Sequence, residues 1–328
     1  MAALKRQKGL TLVELMVAML MALFLSAGLF TMFSMSARNV TSTGQFAELQ
    51  ENARMALAIM AKDIGQTGFM ADLNGVSLVK GNNAFNFNTS IATDCVGGGL
   101  NNASFPNNQP AHFRMIWGYR VNASTETVSC IEDALNGSDV IQIKRLVGPD
   151  VEPTNLLDNR FYFLANFNRG VFFRKEDLSS LPVVPDARYW QYQHHVYYIE
   201  NDTRNGLTIP VLKRRSLTTS GMVEEPYVDG VEDMQILYGI DSDGDGTADG
   251  YTTAANIDNR LWDNQDFQRI VAIKIQLLLR ALKEDSEFDS STFSYQLGQK
   301  TARKFNDGYR RQVLSTTVLL ENPTLLNQ

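Results

Sequence analysis

Charge is almost missing from one long stretch of this chain. Between residues 10 and 37 the only ionisable side chain is Glu14. Cysteine is scarce too: Cys95 and Cys130 are the two in 328 residues. Neither lies in a CxxC pair or beside a paired histidine, which argues against a zinc or dithiol redox centre. The three histidines make no constellation. His194 and His195 are adjacent in a strand-like run and point to opposite faces, and His112 is remote from both. No GxSxG, HExxH or GxxxxGK[ST] pattern occurs, and no enzyme activity is expected. An excess of positive charge is also absent: 30 Lys and Arg stand against 36 Asp and Glu, a formal net charge of −6. That balance argues against bulk electrostatic binding of nucleic acid.

What is there is concentrated at the start. Lys5, Arg6 and Lys8 precede Gly9, and the apolar run then continues without a basic residue until Arg38. About 20 apolar residues cross a bilayer, so the run suffices as a membrane helix, oriented by its flanking cations with the N-terminus in the cytoplasm. It is too long and ends too late for an ordinary cleaved secretory signal. Glu14 carries a cost within it. A charge at mid-bilayer costs about 2.5–3.5 kcal/mol, less near the interface. Such an acid implies a positive partner held at membrane depth. The alternative is a plain signal anchor whose glutamate snorkels to the surface.

Lys5-Arg6-Gln7-Lys8-Gly9 followed by Leu10-Thr11-Leu12-Val13-Glu14-Leu15 resembles the class III signal of type IV prepilins. The resemblance implies that prepilin peptidase cuts the Gly9–Leu10 bond and methylates the new amine at Leu10. It also implies that Glu14 meets the terminal amine of a neighbouring subunit. Leu10 stands where most relatives have phenylalanine.

Beyond the membrane run, Phe46, Leu49, Ala53, Leu57, Met60 and Ile64 recur at three- and four-residue spacing. They predict an amphipathic continuation of the helix to about Gln66, with Gln50, Glu51, Arg54, Lys62 and Asp63 on the opposite side. Gly65 and Gly68 offer the stop. Residues 81–110, rich in Asn and Gly, read as a long surface excursion pinned at Cys95. A period of two then predicts strands over 140–147, 160–165, 170–175, 189–200, 208–214, 234–240, 270–281 and 311–320. The expected fold is α+β: a long N-terminal helix packed on an antiparallel, sheet-rich head. The domains are a leader (1–9), a transmembrane half (10–37), an amphipathic half (38–66) and a periplasmic head (67–328). In that oxidising compartment Cys95 and Cys130 either pair as a disulfide or remain as buried thiols.

Four further segments resemble the PilW family of minor pilins: the stretch from Leu49 to Leu57 with Lys62-Asp63-Ile64, Gly230 to Asp241, Lys274 to Arg280, and Tyr309 to Asn322. Relatives usually carry a cysteine where Met70-Ala71-Asp72 stands, so their disulfide pattern does not transfer. The resemblance implies a subunit that primes pilus assembly and is built in near the tip. Its implied partners are other minor pilins, the major pilin, prepilin peptidase and the inner-membrane assembly platform. A J-type pseudopilin of type II secretion is the close alternative, and a calcium-dependent tip adhesin or binding module is one from another class.

One motif in the head carries its own chemistry. Asp241, Asp243, Asp245, Thr247 and Asp249 fall at positions 1, 3, 5, 7 and 9 of a calcium-type loop, with Gly246 at the sharp turn. Thr252 replaces the glutamate expected at position 12, which predicts weak Ca2+ binding suited to millimolar calcium. An acidic solvated turn is the alternative. Lys300, Arg303, Lys304, Arg310 and Arg311 form a basic cluster that reads as a solvated loop rather than a DNA contact.

Overall fold

The computed structural model describes Gly9 and residues 11–265, 269–285 and 287–324. The chain forms two compact units, one up to Glu48 and one from Leu49 onward. Helix α1 (Leu12–Ile64) supplies most of the first. Its residues before 34 are exposed and overwhelmingly apolar, and it is the one described helix long and apolar enough to cross a membrane.

The second unit begins inside α1 because burial begins there. Leu49, Ala53, Ala56, Leu57, Met60 and Ile64 are each at most 8% exposed, at helical spacing. Phe46, expected on the same stripe, is 40% exposed. The compact unit that holds the head therefore takes in the helix from Leu49 onward. The helix stops at Ile64, and Gly68 makes the exit at φ +76°.

Among the described residues, twelve strands follow in two sheets. The eight-stranded sheet contains β1 (Ala84–Asn86), β2 (Ile116–Arg120), β3 (Asp139–Val147), β4 (Phe161–Ala165), β5 (Gly170–Arg174), β6 (Arg188–Arg204), β7 (Leu207–Thr218) and β8 (Gly221–Asp229). The four-stranded sheet runs β10 (Gly250–Thr253), β9 (Val231–Asp241), β11 (Arg269–Arg280), β12 (Arg311–Leu319). All pairings are antiparallel except β1 with β5.

The long strand β6 organises the larger sheet. Residues 191–197 pair with β3, 188–192 with β4 and 195–204 with β7. A strand has two edges, so β4 and β7 must share the edge opposite β3, end to end. Alternation on β4 and β5 then fills two cores. Phe161, Phe163 and Phe172 join the main one, while Tyr162, Leu164, Val171 and Phe173 join a smaller one with Leu156 and Val184.

Residues 81–110 are not a surface excursion throughout. Gly97, Asn101, Asn102, Ser104 and Phe105 are buried, and this segment covers one face of the larger sheet. His194 and Tyr192 on that face bond to Ser104. On the opposite face His195 and Tyr197 meet Asp63 of α1. The sheet is thus sandwiched between helix and polar loop.

Candidate subunit-docking and calcium sites

Thr11 and Glu14 build the start of α1 together. The Thr11 N–H and its hydroxyl each donate to Glu14 Oε2 at 2.9 Å, and the Glu14 N–H donates back to Thr11 Oγ1 at 3.3 Å. This is the reciprocal Thr-x-x-Glu cap, which satisfies donors that a helix start leaves open. Oε1 of Glu14 accepts nothing among the described residues, so the cap leaves one carboxylate oxygen for a second donor. Gly9 is exposed, whereas Leu10, the expected methylated residue, lies outside the described residues.

The acidic loop leaves β9 at Asp241 and returns at β10. Asp241 Oδ1 accepts from the Gly244 N–H at 2.7 Å and Oδ2 from the Gly246 N–H at 2.9 Å. Both glycines sit at φ +83°, where L side chains are strained. Oxygens of Asp241, Asp243 and Asp249 lie within 4.8 Å of one another, close enough to share one hard cation. Asp245 is turned away, accepting the N–H and hydroxyl of Thr247 at 2.7 and 2.6 Å. Three of the four expected aspartates therefore converge. Partial desolvation raises the Asp241 pKa, but the N–H groups of Gly246 and Gly244 outweigh it and hold the carboxyl below its ordinary value.

Cys95 and Cys130 are joined in a disulfide, with Cα atoms 4.8 Å apart. It ties the polar covering loop to the segment after β2. A two-way bond between Val96 and Ser129 flanks it, with the Ser129 N–H donating to Val96 O and the Val96 N–H to Ser129 Oγ, both at 2.9 Å.

Four of the five cations in the basic cluster are paired with acids. Lys300 Nζ lies 2.6 Å from Asp233, Arg310 2.8 Å from Asp285, and Arg311 reaches Glu232 and Asp307 at 2.5 and 2.7 Å. Arg303 also contacts Asp233 and stacks near Phe305. Asp307 is held down to about 2, chiefly by its bonds to the Arg311 guanidinium.

Sequence reasoning missed the node at Asp63, which it placed on the solvent side of α1. Asp63 is 5% exposed. Its Oδ1 lies 2.6 Å from Arg145 Nε, and its Oδ2 lies 2.6 Å from both His195 Nδ1 and the Tyr197 hydroxyl. Burial opposes the charge, but His195, Arg145 and Tyr197 together hold its carboxyl well below the usual range. A helical wheel cannot show this, because its partners lie more than 80 residues away.

The family model for type IV pilus-assembly protein W matches residues 196–322, and that for the prokaryotic N-terminal methylation motif matches residues 4–30. The two matches together support a PilW-family, type IV pilin-like protein. No curated relative and no solved structure matches. The PilW match runs from the second half of β6 through the whole smaller sheet, calcium-type loop included. The methylation match holds Gly9, Thr11 and Glu14. Pilus-assembly families of this kind are generally structural rather than enzymatic, and the apolar half of α1 fits a membrane-anchored PilW-family pilin.

Proposed function

We propose that this PilW-family chain is a minor pilin that primes type IV pilus assembly and enters the fibre near its tip. Prepilin peptidase releases residues 1–9, α1 holds the chain in the inner membrane, and the head lies in the periplasm before assembly. Glu14 then neutralises the amine of an adjacent subunit as helices pack. The observation that carries this reading is the Thr11–Glu14 cap. It fixes the carboxylate at the mouth of the apolar helix while leaving Oε1 to take an ammonium proton. An ion pair in that medium replaces an uncompensated charge, so docking gains what insertion cost. A subunit with nothing above it has no use for this acid, which supports a place just beneath another subunit. Other minor pilins, the major pilin and the assembly platform are the partners this requires.

The test is to delete the gene and restore it as the native or the Glu14→Ala chain. The Glu14→Ala chain is expected to reach the membrane at native level yet yield fewer than a tenth of the native pili. Native piliation with Glu14→Ala would remove the docking role.

We further propose that Asp241, Asp243 and Asp249 hold a calcium ion, aided by the Thr247 carbonyl. Its charge would relieve repulsion among the three acids and pin the β9–β10 connection. Titration of the purified chain with CaCl2, followed by thermal melting, is expected to give weak, saturable stabilisation that chelator reverses and Asp241→Asn abolishes. An unchanged melting temperature at 10-fold molar and at millimolar calcium would leave the loop an acidic turn.

A further inference from the structure

Strand edges expose backbone donors and acceptors that protein folds normally blunt with charge, proline or brevity. Four edges here follow that rule: β1 has three residues, β10 has four, β2 is buried, and β8 carries Glu224, Glu225 and Pro226. The edge of β12 does not. From Gln312 to Leu320 it has no charge and no proline, and its pairing with β11 runs over nine residues without a bulge.

The ladder shows which groups face outward. The Leu320 N–H donates to Val271 O at 2.8 Å, and Arg310 O accepts from the Ala281 N–H at 2.8 Å. Narrow pairs recur at every second residue of an antiparallel ladder. Residues 312, 314, 316 and 318 therefore turn their backbone groups to β11, and Val313, Ser315, Thr317 and Leu319 turn theirs away. No backbone partner meets those four among the described residues. Ser315, Thr317 and Leu319 are exposed, Leu319 by 68%.

We propose that the free edge of β12 accepts an extended, uncharged strand from another pilus component, continuing the four-stranded sheet across a subunit boundary. The four outward residues span roughly 20 Å, enough for a strand of about seven residues held by main-chain bonds. Charge complementarity sets the partner's character. No side chain between Gln312 and Leu320 would neutralise a buried charge, and the outward face offers Val313 and Leu319 at its ends and hydroxyls between. A second copy is the competing occupant, which a crosslink from residue 317 distinguishes.

This inference rests on the chain being a pilus subunit, and its test uses the full chain expressed with the other pilus components. The Ser315→Pro/Thr317→Pro chain loses only outward N–H groups, so β11 pairing survives. Ser315→Ala/Thr317→Ala removes the hydroxyls and keeps the backbone. Detergent-extracted native chain is expected to retain a pilus component, identified by peptide mass. The proline chain should lose that component at least tenfold with an unchanged melting temperature, and the alanine chain should retain it. A photoreactive residue at 317 should crosslink to that component. Equal retention by the proline chain, equal loss by the alanine chain, no crosslink, or a crosslink only to a second copy would each overturn the proposal. If Glu14→Ala leaves piliation intact while the proline chain still loses its partner, the docking role fails and the strand contact stands.

Discussion

A carboxylate buried at the end of a helix needs partners for every lone pair, and Asp63 finds three. Removing it strands Arg145 in a site that excludes water. Breaking a buried pair in this way typically costs about 3–5 kcal/mol, so Asp63→Ala is expected to lower the urea midpoint by that equivalent; a loss under about 1 kcal/mol would show the node to be idle. The histidines set the pH response. Burial holds His194 well below its ordinary value, and His195 is also lowered despite Asp63 beside it. The unfolded chain then binds more protons than the native one below about pH 6.5. Their contribution is complete above that value and is lost as pH falls toward the lowered native values. Denaturation midpoints are expected to drop between pH 7.5 and 5.5 with proton uptake on unfolding; a flat profile would contradict this. That His194 and His195 face opposite ways was legible from a period of two. That both faces are buried was not, because the cover comes from distant segments.

Periodicity located β3, β4, β5, β6, β7, β9, β11 and β12 to within a few residues, and it missed the four that break its rules. β8 carries Pro226 and two glutamates, as an edge strand can. β2 is interrupted by Gly118, where an added Cβ would overlap the Tyr238 hydroxyl. β1 and β10 are too short to show a period. Gly170 is similarly constrained, since a Cβ there would enter the Phe163 ring. Gly170→Ala is expected to destabilise by about 1–3 kcal/mol, read by thermal melting; no change would mean that the ring can move aside. The segment 81–110 misled because it has few aliphatics. It packs through side chains that bond inward instead: Asn102 Nδ2 to Gly98 O at 3.0 Å, and Asn101 Nδ2 to Ala111 O at 2.9 Å. The Cys95–Cys130 bond closes a loop of sequence separation 35. Chain entropy puts its worth at up to about 4 kcal/mol. Replacing both cysteines by alanine should show a loss approaching that figure and earlier proteolysis near residue 95. Unchanged stability would make the bond incidental.

For the whole molecule, two stretches of sequence carry the functional reading, and both hold a pattern that physics makes expensive. An acid in an apolar helix and a neutral strand edge on the head are each costly alone, and on the proposed reading each is relieved by another subunit. The first is legible in the sequence, because Glu14 stands alone among apolar residues. The second requires the ladder register, which no local pattern supplies. Between them lies a head in which many charges are paired internally, and the proposed assembly contacts are helix packing and strand pairing. The central claim is that this chain is processed as a pilin and built into the fibre. Mass analysis of its N-terminal peptide from sheared, purified pili tests that most directly. The account expects a substoichiometric chain beginning at Leu10 and carrying one methyl group on its amine. A chain found only in the inner membrane and still bearing residues 1–9 would contradict it.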